Sequence, residues 1–205
     1  VGKAVGLQKS VSALLMWAEK RTTGYETKFT NIVCTPSQHG SGAALTATFT
    51  GDTDGSDNWA EICAVDPTGT QDAATNYPVF NFANTYGATA GLTGTDYENG
   101  WYVPSIAELC EVYKNKEVIQ TSLTKASGFN FGTTSYWSSS QYVSSNYCAY
   151  RVSFSDGYVY GNSKHYNFNV FVLQGFNAEQ FNNYEVTTIP SITSVTITNA
   201  GEGYT

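Results

Sequence analysis

Tyr142, Tyr147, Tyr150, Tyr158, Tyr160 and Tyr166 fall within one 28-residue stretch, interleaved with Ser144, Ser145, Ser153, Ser155 and Ser163 and with Asn146, Asn162, Asn167 and Asn169. Tyrosine brings a rigid amphipathic ring with few torsions to freeze, and serine and asparagine bring small, adaptable hydrogen-bonding groups. Antibody binding loops draw on the same palette. Neither an acid–base pair nor a metal-ligating cluster accompanies the tyrosines. The chemistry on offer is recognition, not catalysis.

Other constellations are weaker. His39-Gly-Ser-Gly42 has the look of an oxyanion-hole loop, but no G-x-S-x-G elbow follows. His39 and His165 are the only histidines, so a Ser–His relay has little to draw on. Asp52, Asp54 and Asp57 suggest calcium, yet counting from Asp52 puts Asp57 at position six and Cys63 at position twelve. A calcium loop of the helix–loop–helix kind needs glycine and glutamate there. The E-P-N and Q-P-D sugar motifs are absent. Cys34, Cys63, Cys110 and Cys148 show no C-x-x-C and no zinc spacing. Four cysteines allow three pairings; buried free thiols are the expectation. No cofactor is implied.

The 205 residues suit one mid-sized domain with a short appendage. A charged fraction of only 13% and a net charge of −7 argue against nucleic acid as a partner, since that affinity rests on clustered Lys and Arg. No apolar run approaches the ~20 residues of a membrane helix, so this segment is not expected to insert in a membrane. No secretory signal is visible in the sequence, which reads as excised from a longer chain.

The elements that must position the tyrosines follow in order. Lys3–Leu7, Ser12–Ala18, Thr30–Cys34 and Ala44–Phe49 read as strands. A helix is expected over Asn76–Tyr86, capped by Asn76, with Pro78 in its first turn and Gly87 ending it. Ser105-x-x-Glu108 is a capping box opening a second helix that frays near Asn115, with a shorter helical turn over Glu117–Thr124. Strands return at Tyr136, at Ala149–Phe154 and at Tyr158–Tyr160, the last two joined by a tight Ser155-Asp156-Gly157 turn. Val170–Phe176 reads as a central strand. Beyond it, 177–188 reads as a linker and Ser194–Thr198 as the first strand of a following β module.

Three pieces coincide in order: Gly100-Trp101-x-x-Pro104-Ser105-x-x-Glu108-Leu109, then Tyr136-Trp137-Ser138-Ser139-Ser140, then Val170-x-Val172-x-x-x-Phe176. This combination resembles the C-type-lectin-like fold of the formylglycine-generating-enzyme type, and more narrowly the variable proteins of diversity-generating retroelements. The resemblance covers most of residues 1–176 and is strongest from Gly100 onward. It implies an α+β domain of small antiparallel sheets with two main helices. It also implies a reverse transcriptase that miscopies template adenines into the end of the gene. Asn codons can then become Ser, Tyr, Asp, His, Gly or Cys, but not Lys, Glu, Gln, Met or Trp. Residues 142–169 obey this restriction: they hold no Glu, Gln, Met or Trp, and a single Lys164, which the resemblance makes a fixed position.

Carried over residue by residue, the resemblance makes Tyr142, Ser144, Ser145, Asn146, Tyr147, Tyr150, Ser153, Ser155, Asp156, Tyr158, Tyr160, Asn162, Ser163, His165, Tyr166, Asn167 and Asn169 the variable contacts on a roughly flat, exposed face. Val152, Phe154, Gly157, Val159 and Val170 become scaffold. The chain departs from the family ending V-R-P-V or V-R-x-V, with Phe171 where an arginine often stands. The cysteine chemistry of the formylglycine-generating enzymes does not transfer, because Cys148 is the only cysteine after Cys110. The implied role is an extracellular receptor or adhesin domain, on a bacterial surface or a phage virion. It would bind a protein or other macromolecule on another cell, a host or a phage. The alternatives are a fixed-specificity module of a surface or virion fibre, and an enzyme of the same fold.

Overall fold

The computed structural model describes residues 2–10, 14–176, 187–189 and 192–194. The chain forms β1 (Gly2–Val5), β2 (Leu15–Met16), α1 (Thr23–Glu26), β3 (Cys34–Pro36), α2 (Ala43–Thr46), β4 (Phe49–Gly51), α3 (Asn58–Val65) and α4 (Ala73–Asn76). There follow α5 (Pro78–Asn84), α6 (Tyr86–Thr89), β5 (Trp101–Tyr102), α7 (Ile106–Lys114) and α8 (Lys116–Lys125). Then come β6 (Ser135–Gln141), β7 (Cys148–Ser153), β8 (Val159–Ser163), β9 (Asn167–Phe168) and β10 (Leu173–Phe176). This is an α+β architecture of small antiparallel sheets. Thr187–Ile189 and Ile192–Ser194 pair as an antiparallel hairpin, β11 and β12. The expected linker lies mostly outside the described residues, as do 195–198.

The strongest local signal forms as written. Ser105 Oγ accepts from the Glu108 amide at 3.2 Å, and Glu108 Oε2 accepts from the Ser105 amide at 2.8 Å. Each satisfies a donor that the first turn of α7 leaves without a partner. Ser105→Ala should cost about 1 kcal/mol, read as a lower midpoint in a urea melt. Glu108 does more than cap: it also accepts from Tyr102 Oη at 2.8 Å and the Gly55 amide at 2.9 Å, and it pairs with Lys3.

Four expectations are corrected. The helix over Asn76–Tyr86 is broken. Tyr77 precedes Pro78, whose ring disfavours helical backbone at the residue before it, and Tyr77 sits at φ −139°, ψ 59°. So α4 stops at Asn76 and α5 starts at Pro78; Asp72 caps α4, while the Asn76 side-chain Nδ2 donates to Gly69 O at 2.9 Å. Gly87 lies inside α6 and does not end a helix. Ala44–Phe49 is not a strand, because the helix-forming Ala43-Ala-Leu-Thr46 curls into α2 and only Phe49–Gly51 pairs, with β3. Thr30–Ile32 is a 3₁₀ turn, so the strand starts at Cys34.

Sheet β6–β7–β8 divides two apolar clusters. Successive side chains of a strand point to opposite faces. Tyr136, Tyr150, Val152, Phe154 and Val159 therefore pack with Ile106, Leu109 and Phe171, while Trp137 and Ala149 pack with Trp17, Phe29, Tyr77 and Phe80. The serines of Tyr136-Trp-Ser-Ser-Ser140 are buried and fully engaged. Ser138 Oγ donates to Tyr150 O at 2.9 Å, Ser139 Oγ accepts from Asn58 at 2.7 Å, and Ser140 Oγ accepts from the Ile106 amide at 2.9 Å. The motif stitches the sheet to α3 and α7. In a second sheet β10 is the middle strand, between β1 and β5, with Val170–Val172 buried ahead of it.

All four cysteines are free. Burial pushes the Cys34 and Cys110 thiols up to about 12, so both stay protonated and unreactive near neutrality.

Candidate binding face

The turn joining β7 to β8 forms where Asp156-Gly157 requires it, with Gly157 at φ +69°. Asp156 accepts from Ser41 Oγ at 2.9 Å and from the Tyr158 amide at 3.3 Å; hydrogen bonding from Ser153 first, then from Ser41 and the Tyr158 amide, holds its carboxyl below the usual range. Ahead of β7, the loop over 142–147 is held from below by Gln141. That buried amide donates to Ser145 O at 2.7 Å and Cys148 O at 2.9 Å. Lys28 reaches the same loop from outside, donating to Val143 O at 2.6 Å.

The expected contacts gather into three neighbouring clusters. In the first, the Tyr142 ring lies 4.8 Å from Tyr150 and 5.9 Å from Tyr160, and His39 stacks on Tyr150 at 5.8 Å. Tyr142 lies directly over Gly161, where an added Cβ would come within 2.4 Å of the ring. Gly161→Ala should push Tyr142 off the sheet and cost about 1–2 kcal/mol by overpacking, measurable in a thermal melt alongside loss of the Tyr142–Tyr150 contact by NMR.

A second cluster joins Tyr147, His165, Tyr166 and Ser163 to Tyr25 from α1. Tyr25 lies 5.3 Å from the Tyr147 ring, and Ser163 Oγ bridges Tyr25 Oη at 3.1 Å and His165 Nδ1 at 2.7 Å. The third surrounds Arg151. Its guanidinium lies against the rings of Tyr158 and Phe168, at 5.4 and 5.3 Å, donating to Asn162 Oδ1 at 2.6 Å and Ser135 Oγ at 3.1 Å. An open depression of about 410 Å³ lies beside it, walled by Ser153, Ser155, Asp156, Tyr158 and Tyr160.

Most of the expected contacts lie at least partly outward. Ser144, Asn146, Tyr147, Ser155, Asp156, Tyr160, Tyr166 and Asn167 are exposed; Tyr142, Ser145, Tyr158, Asn162, Ser163 and His165 are half-buried. Three are not outward. Tyr150 is fully buried, because it shares the inward face of β7 with Val152. Ser153 is covered, with its hydroxyl bonded to Ser155 Oγ at 2.7 Å. Asn169 is buried, donating to Thr134 Oγ1 at 2.7 Å while its backbone carbonyl accepts from the Trp137 amide at 3.0 Å. Sequence reasoning missed Arg151, His39 and Tyr25. Only Arg151 lay within the tyrosine-rich stretch, where it and Lys164 are the two cations.

Lys164 is entirely buried. Its ammonium donates to Gly24 O at 3.0 Å and Thr27 O at 2.8 Å, at the carbonyl end of α1, and lies 4.6 Å from the Trp17 ring and 4.9 Å from Phe29. Burial without a carboxylate partner pushes it down to about 7. Its own amide donates to Tyr147 O at 2.8 Å, and its carbonyl accepts from the Trp17 amide at 2.8 Å. The residue fastens both tyrosine-bearing loops to the core.

Among the described residues no set of His, Cys, Asp or Glu side chains is arranged to hold a metal ion. Asp54 instead pairs with Lys3 at 3.3 Å and accepts from the Ser56 amide at 3.0 Å. No helix among them is long and apolar enough to cross a membrane.

No protein-family model matches the chain, and no curated protein does. Among solved structures, a fimbrial protein from Bacteroides ovatus ATCC 8483 is similar, with a TM-score of 0.53 at 18% identity over 85% of this chain. The likeness spans 36% of that protein's length and is a likeness of fold.

Proposed function

We propose that this is a surface-displayed receptor or adhesin domain of the C-type-lectin-like, formylglycine-generating-enzyme type, whose tyrosine-rich face is diversified by retroelement mutagenesis to bind varied macromolecules. The observation that carries the reading is a division of labour. Gln141 and Lys164, which adenine miscopying cannot write, are buried and hold the loops. Tyr147, Tyr160 and Tyr166, which it can write, are exposed. A mutable surface on an immutable base can change its ligand without losing its fold. Binding is the role, not catalysis. A face of this type can bury about 800 Å² per partner, enough for stable recognition.

The test is to sequence the gene's neighbourhood for a near-copy of the segment encoding residues 136–176 beside a reverse-transcriptase gene. A copy differing almost only at adenines is the expected result. No copy, with the segment identical among isolates, would overturn diversification. It would favour the second reading, a fixed-specificity module of a surface fibre, which the fold likeness to a fimbrial protein supports.

A further inference from the structure

We propose that the depression beside Arg151 is a subsite for the carboxylate of an acidic sugar, of the uronic or sialic acid type, carried on the ligand. The proposal rests on reading this face as a binding surface and names the chemistry of one part of it.

Arg151 is set up to receive an anion. A guanidinium has five N–H donors in a planar fork. Two are spent on Asn162 and Ser135, which, with the Tyr158 and Phe168 rings, fix the plane of the group. Among the described residues the other three have no protein acceptor, and no carboxylate forms an ion pair with Arg151. Such a fork matches the two oxygens of a carboxylate. Half-burial removes part of the cation's hydration, and an incoming anion compensates that loss.

The surroundings favour a sugar over an acidic protein segment. The exposed Ser155 hydroxyl and the Asn162 side chain line the depression, which suits a ligand bearing hydroxyls at several positions. Tyr158 and Tyr160, with ring centroids 6.1 Å apart, also line the depression and supply apolar ring area for a pyranose. The chain's net charge of −7 repels an extended acidic surface, but permits a single carboxylate on an otherwise neutral glycan. Asp156 stands at the rim and opposes the anion. Its oxygens are turned to Ser41, Ser155 and the Tyr158 amide, which leaves the Arg151 fork unblocked.

The experiment is isothermal titration of the whole chain with N-acetylneuraminic acid and glucuronic acid, with their methyl esters, and with a short glutamate peptide. A free sugar acid should bind at least tenfold more tightly than its ester. Arg151→Gln should abolish that preference, Arg151→Lys should recover it only in part because the fork is lost, and Asp156→Asn should strengthen it. Lys114→Gln, the same change of charge on α7, should leave it intact. Circular dichroism shows whether each variant folds; if Arg151→Gln does not, the acid–ester comparison on the unaltered chain still decides. Binding of the peptide but neither sugar acid would overturn the sugar assignment in favour of a protein carboxylate. Equal binding of acid and ester, or no binding of either sugar acid, would overturn the proposal outright. A template copy found beside the gene with no sugar-acid binding leaves the diversified face standing and removes this subsite; the converse result removes diversification alone.

Discussion

Lys164→Met should abolish a pH dependence of stability that the unaltered protein shows between pH 7 and pH 9. In the unfolded chain the lysine titrates near 10.5, whereas burial brings it to about 7 in the folded protein. Between those values the unfolded state holds the additional proton, so stability rises with pH. Below pH 7 both states are protonated and the contribution is flat. One proton gives at most about 1.4 kcal/mol per pH unit, hence a rise of about 2 kcal/mol from pH 7 to 9. The window closes near pH 9, where the two buried thiols, deprotonating in the unfolded chain, cancel the lysine's slope; the tyrosines reverse it at higher pH. Urea melts at pH 7, 8 and 9 on both proteins would show it, and parallel slopes would disprove it. Lys164→Ala should further cost about 2–4 kcal/mol at neutral pH. It empties the space against Trp17 and Phe29 and strips the donor from two carbonyls.

That coupling shows what the sequence could and could not disclose. Lys164 stands out as the one residue in its stretch that adenine miscopying cannot produce, so a fixed role was legible. Its cage was not, because Gly24, Thr27, Trp17 and Phe29 lie more than a hundred residues away along the chain. Local chemistry read well: the Ser105–Glu108 box, the Asp156-Gly157 turn and the alternation of β7 each depend on neighbours within a few residues. The same alternation held a signal that went unused, since Val152 and Phe154 as scaffold place Tyr150, two residues earlier, on the inward face. The helix through Asn76–Tyr86 failed for a local reason, the proline's effect on Tyr77, and the strand at Ala44–Phe49 failed because helix propensity in Ala-Ala-Leu outweighed the threonines. The contributions of His39 and Tyr25 to the face arise only when distant segments meet. Spacing along the chain carries no trace of them.

The tyrosines themselves should separate into two kinds under alanine substitution. Tyr147, Tyr160 and Tyr166 are 49%, 43% and 48% exposed, and Tyr158 is half-buried against Arg151. Truncating all four removes ring area from the surface and little from either apolar cluster, so the melting temperature should hardly move. Binding to a partner captured from a host or neighbouring cell should fall at least a hundredfold, since tyrosine anchors dominate such interfaces at about 2 kcal/mol or more each. Tyr150→Ala should do the opposite. Its ring is fully buried in the apolar cluster that holds Val152, Ile106 and Leu109, beneath Tyr142 and His39. Loss of an aromatic side chain from such a site costs about 3–5 kcal/mol. Surface plasmon resonance and thermal melts on the two variants give four numbers. If the quadruple variant binds as the parent does, the tyrosine-rich face is not the binding surface. If Tyr150→Ala melts as the parent does, its tyrosine is not part of the base on which that face is built. The predicted pattern, affinity lost with stability kept in one and stability lost in the other, requires a mutable surface physically distinct from its support.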